Sequence, residues 1–313
     1  MIQSFRLEDD RYLFFDIFHK NNKLVLVRPV YSNCVDNTPI YIRHNDRELT
    51  LLEKYSELQP EPIEIRIYSF CSDERIHSIR VEYKGIHKEY TLEHTKTTMC
   101  KTISVSTLFK DDSKLLHVFY DYYRKQGVTN FYLYYNGTIS DELRQMCNLP
   151  GVTLLEWNFR YWNEHCEIRH HAQIGQIHHA MYRYGKEVNE YMILCDFDEY
   201  MYVPGKKLSE YVYENSTIDV FGFHNLWSDT IDGAIPCRIP TTIRVADGLL
   251  GWYDRTKCIY KTEVVRTVNI HGGRRFSKQI VQRNNHTMFH FYKWSGLDRR
   301  VNTNNTMILE NIV

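Results

Sequence analysis

The chain has 313 residues, enough for two domains of ordinary size or one large domain. Apolar residues make up 43% and charged residues 25%, which excludes a disordered or fibrous protein. Lys plus Arg and Asp plus Glu number 39 each, and this neutral balance argues against a basic surface for nucleic acid or an anionic membrane. We therefore expect no nucleic-acid partner.

The sequence carries no targeting or membrane-spanning signal. The first ten residues lack the basic and then apolar regions of a signal peptide. No run reaches the ~18 apolar residues of a transmembrane helix. The eight cysteines are scattered and form no C-x-x-C pair, a pattern typical of reduced thiols in a soluble compartment.

Residues 1–98 are interpreted as a small β-rich, sandwich-like accessory domain. Apolar and polar residues alternate in Ile63–Ile67 and in Ile79–Tyr83, with the period of two of half-buried strands. Runs rich in Val, Ile, Tyr and Phe predict further strands at Arg11–Phe18, Lys23–Val27 and His87–Leu92. Leu49–Glu57 is predicted as a short helix, and the polar stretch Glu93–Met99 as a linker.

Residues 99–313 form the second predicted domain, in which strand and helix patterns alternate. The predicted strands are Thr102–Ser106, Phe131–Tyr135, Val152–Trp157, Tyr191–Cys195 and Asp219–Phe223. The predicted helices are Leu115–Gln126 (ended by Gly127), Asp141–Cys147 (capped by Ser140), Ile168–Tyr184 and Leu208–Glu214. This alternation predicts an α/β fold with a mostly parallel, Rossmann-like sheet. The glycine-rich dinucleotide and P-loop fingerprints are absent.

Three acidic residues, Asp196, Asp198 and Glu199, follow the apolar strand Tyr191–Cys195 directly. Ligands of open α/β sheets bind beyond the carboxyl ends of strands. In extended backbone, Asp196 and Asp198 would point to the same side and repel each other unless a cation lay between them. The pattern predicts a site for a hard divalent cation, completed by the diphosphate of a nucleotide. A solvated turn is the alternative.

Several segments occur in a characteristic order. They are Thr107–Asp112, Phe119–Tyr134 with its Gly127-Val128 turn, Gly151–Trp157, a helix with Gln173 and Gln176, Cys195–Tyr200, Lys257–His271 and His290–Tyr292. In this order, residues 100–295 resemble glycosyltransferase family 92 and the related family-2-like glycosyltransferases with a GT-A fold. The resemblance does not extend to the N-terminal domain.

The resemblance implies a metal-dependent enzyme that moves a hexose, galactose-like as a first guess, from a UDP-sugar to a glycan or glycoprotein acceptor. An inverting mechanism is expected. The cofactor would be Mn²⁺ or Mg²⁺, held by Asp198 and by Asp196, which could instead contact the ribose. Glu199 would contact these ligands without binding the cation itself.

Other site residues follow from the same resemblance. Lys110, Asp111 and Asp112 stand where the family holds the base and ribose, and Gln173 stands at a matching helical position. Late histidines often complete the metal site of GT-A enzymes, so His271 and His290 are candidate ligands. The glycines after His271, followed by Arg274, would let a guanidinium approach the diphosphate.

An inverting transferase needs a base for the acceptor hydroxyl. Asp229, after the strand Asp219–Phe223, is the first choice. The alternative candidates for this base are Asp232, Asp254 and Glu263. A retaining mechanism without such a base is also an alternative. Stacking of an acceptor sugar is considered for Trp227 and Trp252, with a buried structural role as the alternative.

Two other classes of protein remain as rivals. A D-x-D-x-T phosphatase would need Thr or Val where Tyr200 stands, and its motif would come early in the domain. A carbohydrate- or nucleotide-sugar-binding protein with an inactive transferase fold is the main alternative. We expect a soluble, cytoplasmic enzyme of a bacterium or large virus, or else an ectodomain fragment of a Golgi-type enzyme; the oligomeric state is open.

Overall fold

The computed structural model describes residues 2–31, 38–57, 62–72, 74–161, 171–251, 254–271, 279–280, 286–296 and 301–310. The chain divides into two compact units: Met1–Met99 with Trp157–Val188, and Cys100–Glu156 with Asn189–Val313. The first unit thus includes a segment, Trp157–Val188, that the predicted division into 1–98 and 99–313 assigns to the second domain.

The first unit is built on two four-stranded antiparallel sheets. Its strands are β1 Phe5–Arg6, β2 Tyr12–Phe14, β3 Asp16–Lys20, β4 Lys23–Pro29, β5 Tyr41–His44, β6 Arg47–Glu48, β7 Leu51–Glu57, β8 Ile63–Ser69, β9 Ile76–Tyr83 and β10 Ile86–Glu93. The sheets have the orders β3-β4-β8-β7 and β10-β9-β5-β6. Leu24 and Leu26 of the first sheet share a core with Ile79 and Val81 of the second, as expected for a sandwich-like arrangement.

The helix predicted at Leu49–Glu57 is wrong, because Leu51–Glu57 forms strand β7. This strand pairs antiparallel with β8 at the edge of its sheet, where Tyr55 lies opposite Ile65. Leu, Glu and Lys favour helix only weakly, and pairing with a buried strand outweighs that preference.

Four α-helices lie within the described residues: α1 Leu116–Lys125, α2 Asp141–Met146, α3 His171–Ala180 and α4 Leu208–Glu214. The stop after α1 is confirmed, since Gly127 has φ +89°, a value that a residue with a Cβ rarely adopts. The N-cap of α2 is also confirmed: the Ser140 hydroxyl accepts a hydrogen bond from the Leu143 N–H at 3.2 Å.

Helix α3 belongs to the first unit because its partners lie on β3 and just before it. The ring of His171, the first residue of α3, lies 4.8 Å from that of Phe15. His179 Nε2 lies 2.8 Å from the Asp16 carboxylate, and Arg183 donates to the same oxygen at 2.9 Å. Asp16 is fully buried, so these contacts compensate a charge that would otherwise be costly.

The second unit is built on one 11-stranded sheet. Its strands are β11 Cys100–Phe109, β12 Val128–Tyr135, β13 Val152–Glu156, β14 Asn189–Leu194, β15 Glu199–Tyr202, β16 Val220–Asp229, β17 Thr242–Val245, β18 Lys257–Lys261, β19 Gln279–Ile280, β20 Thr287–His290 and β21 Asn305–Ile308. Strands β13-β12-β11-β14 are parallel, but β18 runs antiparallel to both β14 and β16. The sheet is therefore mixed, and the expectation of a mostly parallel sheet holds only for its first half.

Within the described ranges, none of the helices combines the length and the apolar character needed to cross a bilayer.

Candidate functional site

Two neighbouring parallel strands of the second unit end at the candidate site. β11 pairs with β14, so that Ser106 lies opposite Leu194. The Phe109 ring at the end of β11 packs against the Phe197 ring at 4.8 Å, which joins that end to the acidic segment. The carboxyl edge of the parallel strands therefore carries the acidic residues, as the sheet topology predicts.

The backbone of this acidic segment turns after β14. The Glu199 N–H donates to the Asp196 carbonyl at 3.1 Å, and the Asp196 N–H donates to the Glu199 carboxylate at 2.8 Å. The assumption of extended backbone is therefore wrong: Asp196 and Asp198 do not share one face of a strand. Each carboxylate has its own cationic partner.

Lys257, the first residue of β18, carries a buried ammonium group into the cluster. Its Nζ lies 3.0 Å from Asp196 Oδ2 and 3.3 Å from Glu199 Oε2. Burial opposes protonation of Lys257, but the two carboxylates outweigh burial and raise its pKa. For Glu199, burial raises the pKa, and Lys257 opposes the increase. The Asp196 side chain is 38% exposed, whereas that of Glu199 is 1% exposed, so Asp196 is the carboxylate of this pair open to a ligand.

Asp198 faces a histidine. Its Oδ2 lies 3.4 Å from Nε2 of His290, and the two residues are brought together because β15 pairs with β20. Burial raises the pKa of Asp198, but His290 outweighs burial and lowers it. Burial lowers the pKa of His290, but Asp198 and then Glu199 outweigh it and raise it.

The other nitrogen of His290 contacts Asn225. Asn225 Nδ2 lies 2.7 Å from His290 Nδ1, while the buried Oδ1 of the same amide has no hydrogen-bond partner among the described residues. Exchanging the amide oxygen and nitrogen lets Oδ1 accept from Nδ1–H and satisfies both groups. In that arrangement a protonated His290 directs its Nε2–H at the Asp198 carboxylate, and a neutral ring would offer the same nitrogen to a cation.

Of the predicted nucleotide contacts beyond β11, Asp112 lies within the electrostatic influence of the acidic cluster. Burial, followed by the Asp198 carboxylate, raises the pKa of Asp112 to about 6. Lys110 and Asp111 are exposed residues of the same loop. A loop that gathers several carboxylates around one point is a region of negative potential, which favours a cation.

Asp229, the predicted base, lies at the end of β16 and is buried. Its Oδ2 contacts Lys293 Nζ, and its Oδ1 accepts the Thr230 N–H at 2.9 Å. The Trp227 ring packs at 4.6 Å from His290, with the Arg255 guanidinium 5.4 Å from its centre. These contacts on a buried indole favour the structural role of Trp227 over stacking of a sugar.

Other predicted site residues are not brought to the acidic cluster by the described contacts. Gln173 lies in α3, in the first unit, and accepts a hydrogen bond from the Tyr161 hydroxyl at 3.1 Å. His271 is half-buried at the end of the described stretch 254–271. Arg274 and Trp252 lie outside the described residues. The roles of Gln173, His271 and Arg274 stay predictions.

Sequence reasoning missed Lys257 and Asn225 as members of the cluster. Lys257 had a detectable signal, since it begins the apolar run Cys258–Tyr260, where a buried lysine needs carboxylate partners. Asn225 had no such signal, because its role depends on the parallel pairing of β16 with β20, which places Trp227 opposite His290.

The family model described as glycosyltransferase family 92 matches residues 100–308. No curated protein matches the sequence. A similar solved structure is amylomaltase from Corynebacterium glutamicum, 14% identical over 38% of this chain and 20% of the amylomaltase chain, with a TM-score of 0.18. A TM-score this low does not indicate a shared fold, and the alignment spans one fifth of the amylomaltase.

Proposed function

Because the chain belongs to glycosyltransferase family 92, we propose that it transfers a hexose from a UDP-sugar to a glycan or glycoprotein acceptor with the help of a divalent cation. The observation that carries this proposal is the pairing of Asp198 with His290 beside Asp196 at the carboxyl edge of the parallel strands. Galactose as the sugar and inversion at the anomeric carbon are the finer parts of the proposal.

The donor atoms at Asp198 and His290 fit a divalent cation. A carboxylate oxygen and an imidazole nitrogen 3.4 Å apart have the spacing of two ligands of one ion. The unpartnered Oδ1 of Asn225 suits a ligating histidine, which commonly donates its second N–H to an oxygen acceptor. Mn²⁺, which accepts both imidazole and carboxylate ligands, is our first choice, with Mg²⁺ as the alternative.

When bound, the cation would offset the negative charge that develops on the departing diphosphate. The residues of the chain would position the cation and the nucleotide. Lys257 holds Glu199 and one oxygen of Asp196 in place, and the Asp196 side chain, which is 38% exposed, would contact the ribose or the cation. Lys110, Asp111 and Asp112 would line the nucleotide on the neighbouring loop.

Asp229 remains our candidate for the acceptor base. It lies on the same face of β16 as Asn225, four residues and therefore roughly 13 Å further along the strand. Lys293 occupies the carboxylate oxygen that would take the proton, so Asp229 would act once Lys293 moves away. The Lys293 side chain is 49% exposed, so it has room to move.

Binding of the donor tests this proposal. We would measure the melting temperature with UDP-sugars and GDP-sugars, each with Mn²⁺ or with EDTA. A ligand that binds only the folded protein raises the melting temperature by mass action. We expect an increase with a UDP-sugar that requires Mn²⁺ and is lost in Asp198→Asn. No increase with any nucleotide sugar would overturn the proposal, and binding without turnover would favour the inactive, sugar-binding alternative.

A further inference from the structure

Three histidines of the first unit converge between its two sheets, and the proposed function uses none of them. His19 lies in β3, His77 in β9 and His94 directly after β10. One ring nitrogen of each lies within 4.8 Å of those of the other two. His19 is 2% exposed and His77 is fully buried, while His94 is half-buried.

Aromatic packing explains the position of these rings but not their nitrogens. His19 and His77 pack against the Phe70 ring at 4.6 and 4.7 Å, as hydrophobic core residues would. Yet both ring nitrogens of His19, both of His77 and Nε2 of His94 are buried without a hydrogen-bond partner among the described residues. Five buried polar atoms without partners at one place are unusual, because each such atom destabilises the folded state.

The electrostatics of the cluster favour neutral imidazoles. Burial, followed by His94 and His77, lowers the pKa of His19 to about 4. Burial also lowers the pKa of His77. A neutral imidazole has one nitrogen lone pair to offer, which is the form that binds a metal ion.

We propose that His19, His77 and His94 bind a transition-metal ion, with Zn²⁺ as the ion that this buried set of imidazoles suits best. Around tetrahedral Zn²⁺, ligand nitrogens lie roughly 3.3 Å apart, since each Zn–N bond is ~2.0–2.1 Å. Small side-chain rotations would bring the three nitrogens from their present spacing to that distance.

Glu74 is the fourth ligand in this proposal. Its Oε2 lies 4.0 Å from His77 Nδ1, and it also belongs to a neighbouring group with His44 and His77. Both nitrogens of the His44 ring are already engaged, since Nδ1 lies 2.8 Å from the Ser78 carbonyl oxygen and Nε2 lies 3.3 Å from Asn45 Nδ2. The Glu74 side chain is 62% exposed, so it would turn inward to reach the ion, and its carboxylate would lower the net charge of the site.

The ion would link strands of different sheets. β3 belongs to the sheet β3-β4-β8-β7, whereas β9 and β10 belong to the other four-stranded sheet. A metal bond between them would act as a cross-link in a small domain and stabilise it by binding only the folded state. The site is independent of the proposed transferase function.

The test measures Zn²⁺ binding to the full-length chain after removal of metals by a chelator. All samples carry Asp198→Asn, which removes the other proposed cation site. Competition with a chromophoric chelator gives the amount bound and the affinity. We expect one equivalent of Zn²⁺, and for His94→Gln a loss of affinity above the ~10–100-fold that outer partners of a ligand contribute. His87→Gln, an exposed histidine of β10, is the matched control and should bind as its parent does.

Should His94→Gln fail to fold, the Co²⁺ absorption spectrum of the parent protein, which carries Asp198→Asn, tests the proposal. Strong visible absorption of a four-coordinate ion is the expected result. Absence of tight Zn²⁺ binding in the parent overturns the proposal. So does unchanged affinity in a folded His94→Gln variant, or a six-coordinate Co²⁺ spectrum.

Discussion

At the scale of single residues, Lys257 is a cation buried among acids. Its side chain is 3% exposed and contacts Asp196 and Glu199. Replacing Lys257 with Met would leave the buried Glu199 carboxylate without its cation. Removing one partner of a buried ion pair costs about 3–5 kcal/mol, and we expect the lower part of that range because Asp196 is partly solvated.

Urea unfolding of Lys257→Met measures this loss. Lys261→Met is the matched control on the same strand, since Lys261 Nζ donates to the Ser216 carbonyl oxygen at 2.9 Å in an exposed position. The control should lose less than ~1 kcal/mol. Equal stability of the two variants would show that Lys257 does not compensate the buried acids.

Asp112 predicts a dependence of stability on pH. Its pKa rises from 3.8 to about 6 on folding. Protonated Asp112 therefore contributes its full stabilisation of the folded state below pH 3.8, and this contribution is lost as pH rises through 6. This increase corresponds to at most about 3 kcal/mol, and solvent screening reduces it to roughly 1–2 kcal/mol. In EDTA, Asp112→Asn should therefore be more stable than the parent at pH 8, with the difference vanishing near pH 4.

The matched control is Asp121→Asn, whose carboxylate makes an exposed ion pair with Lys125 on α1. Its stability relative to the parent should change little between pH 4 and pH 8. If Asp112→Asn followed the same course, the Asp112 carboxyl would not be influenced by the acidic cluster.

Residue identity predicted part of the site. The acids of Asp196–Glu199 could be found because they interrupt an apolar strand, and His290 by resemblance to a family. The resemblance predicts Asp198 and His290 as ligands of one ion, but it does not give the β15–β20 register that brings them together. That register depends on long-range packing, which no local pattern of residues encodes.

At the scale of elements, the cost of replacing a glycine in a turn between elements should depend on the atoms that surround it. Gly151 has φ +77°, and a Cβ there would lie 2.2 Å from the Thr129 carbonyl oxygen. Gly205 has a similar φ of +72° but no atom within 4 Å of its Cβ position. Gly205→Ala should therefore cost only the ~1–2 kcal/mol of a left-handed backbone.

Gly151→Ala should cost about 1–3 kcal/mol more, because a backbone oxygen must also move. Free energies of unfolding of the two variants measure this difference. Equal losses would mean that the chain before β13 adjusts freely.

Elements with strong local patterns were predicted well, and edge elements were not. The amphipathic helix α1 and the capped helix α2 have signals within their own sequence. The residues of β7 alone favour a helix, and their strand conformation follows from pairing with β8. Strands β17, β20 and β21 pair across long stretches of sequence, so their partners could not be inferred.

At the scale of the whole molecule, Trp157–Val188 is contributed to the first unit by a segment between two parts of the second. All ten residues of α3 are buried, and His179 contacts Asp16. A fragment of residues 99–313 would expose this helix and leave His179 without its acid. We therefore expect the fragment to melt at a lower temperature than the full chain, or to aggregate.

Coexpression of the fragment with residues 1–98 is the control and should restore solubility. A fragment that melts at the temperature of the full chain would contradict the assignment of α3 to the first unit. This division could not be predicted from composition, because the contact of His179 in α3 with Asp16 joins residues more than 150 positions apart along the chain.

The decisive measurement for a cation-dependent transferase is the release of UDP from UDP-galactose in the presence of Mn²⁺ and a glycan acceptor, compared between the parent and Asp198→Asn. Loss of one preorganised electrostatic group at a reacting centre typically costs ~100- to 1,000-fold in rate. We predict a loss of that size for Asp198→Asn, and parental activity for Asp121→Asn. UDP release that is unaffected by EDTA and by Asp198→Asn would contradict a cation-dependent transfer that uses Asp198.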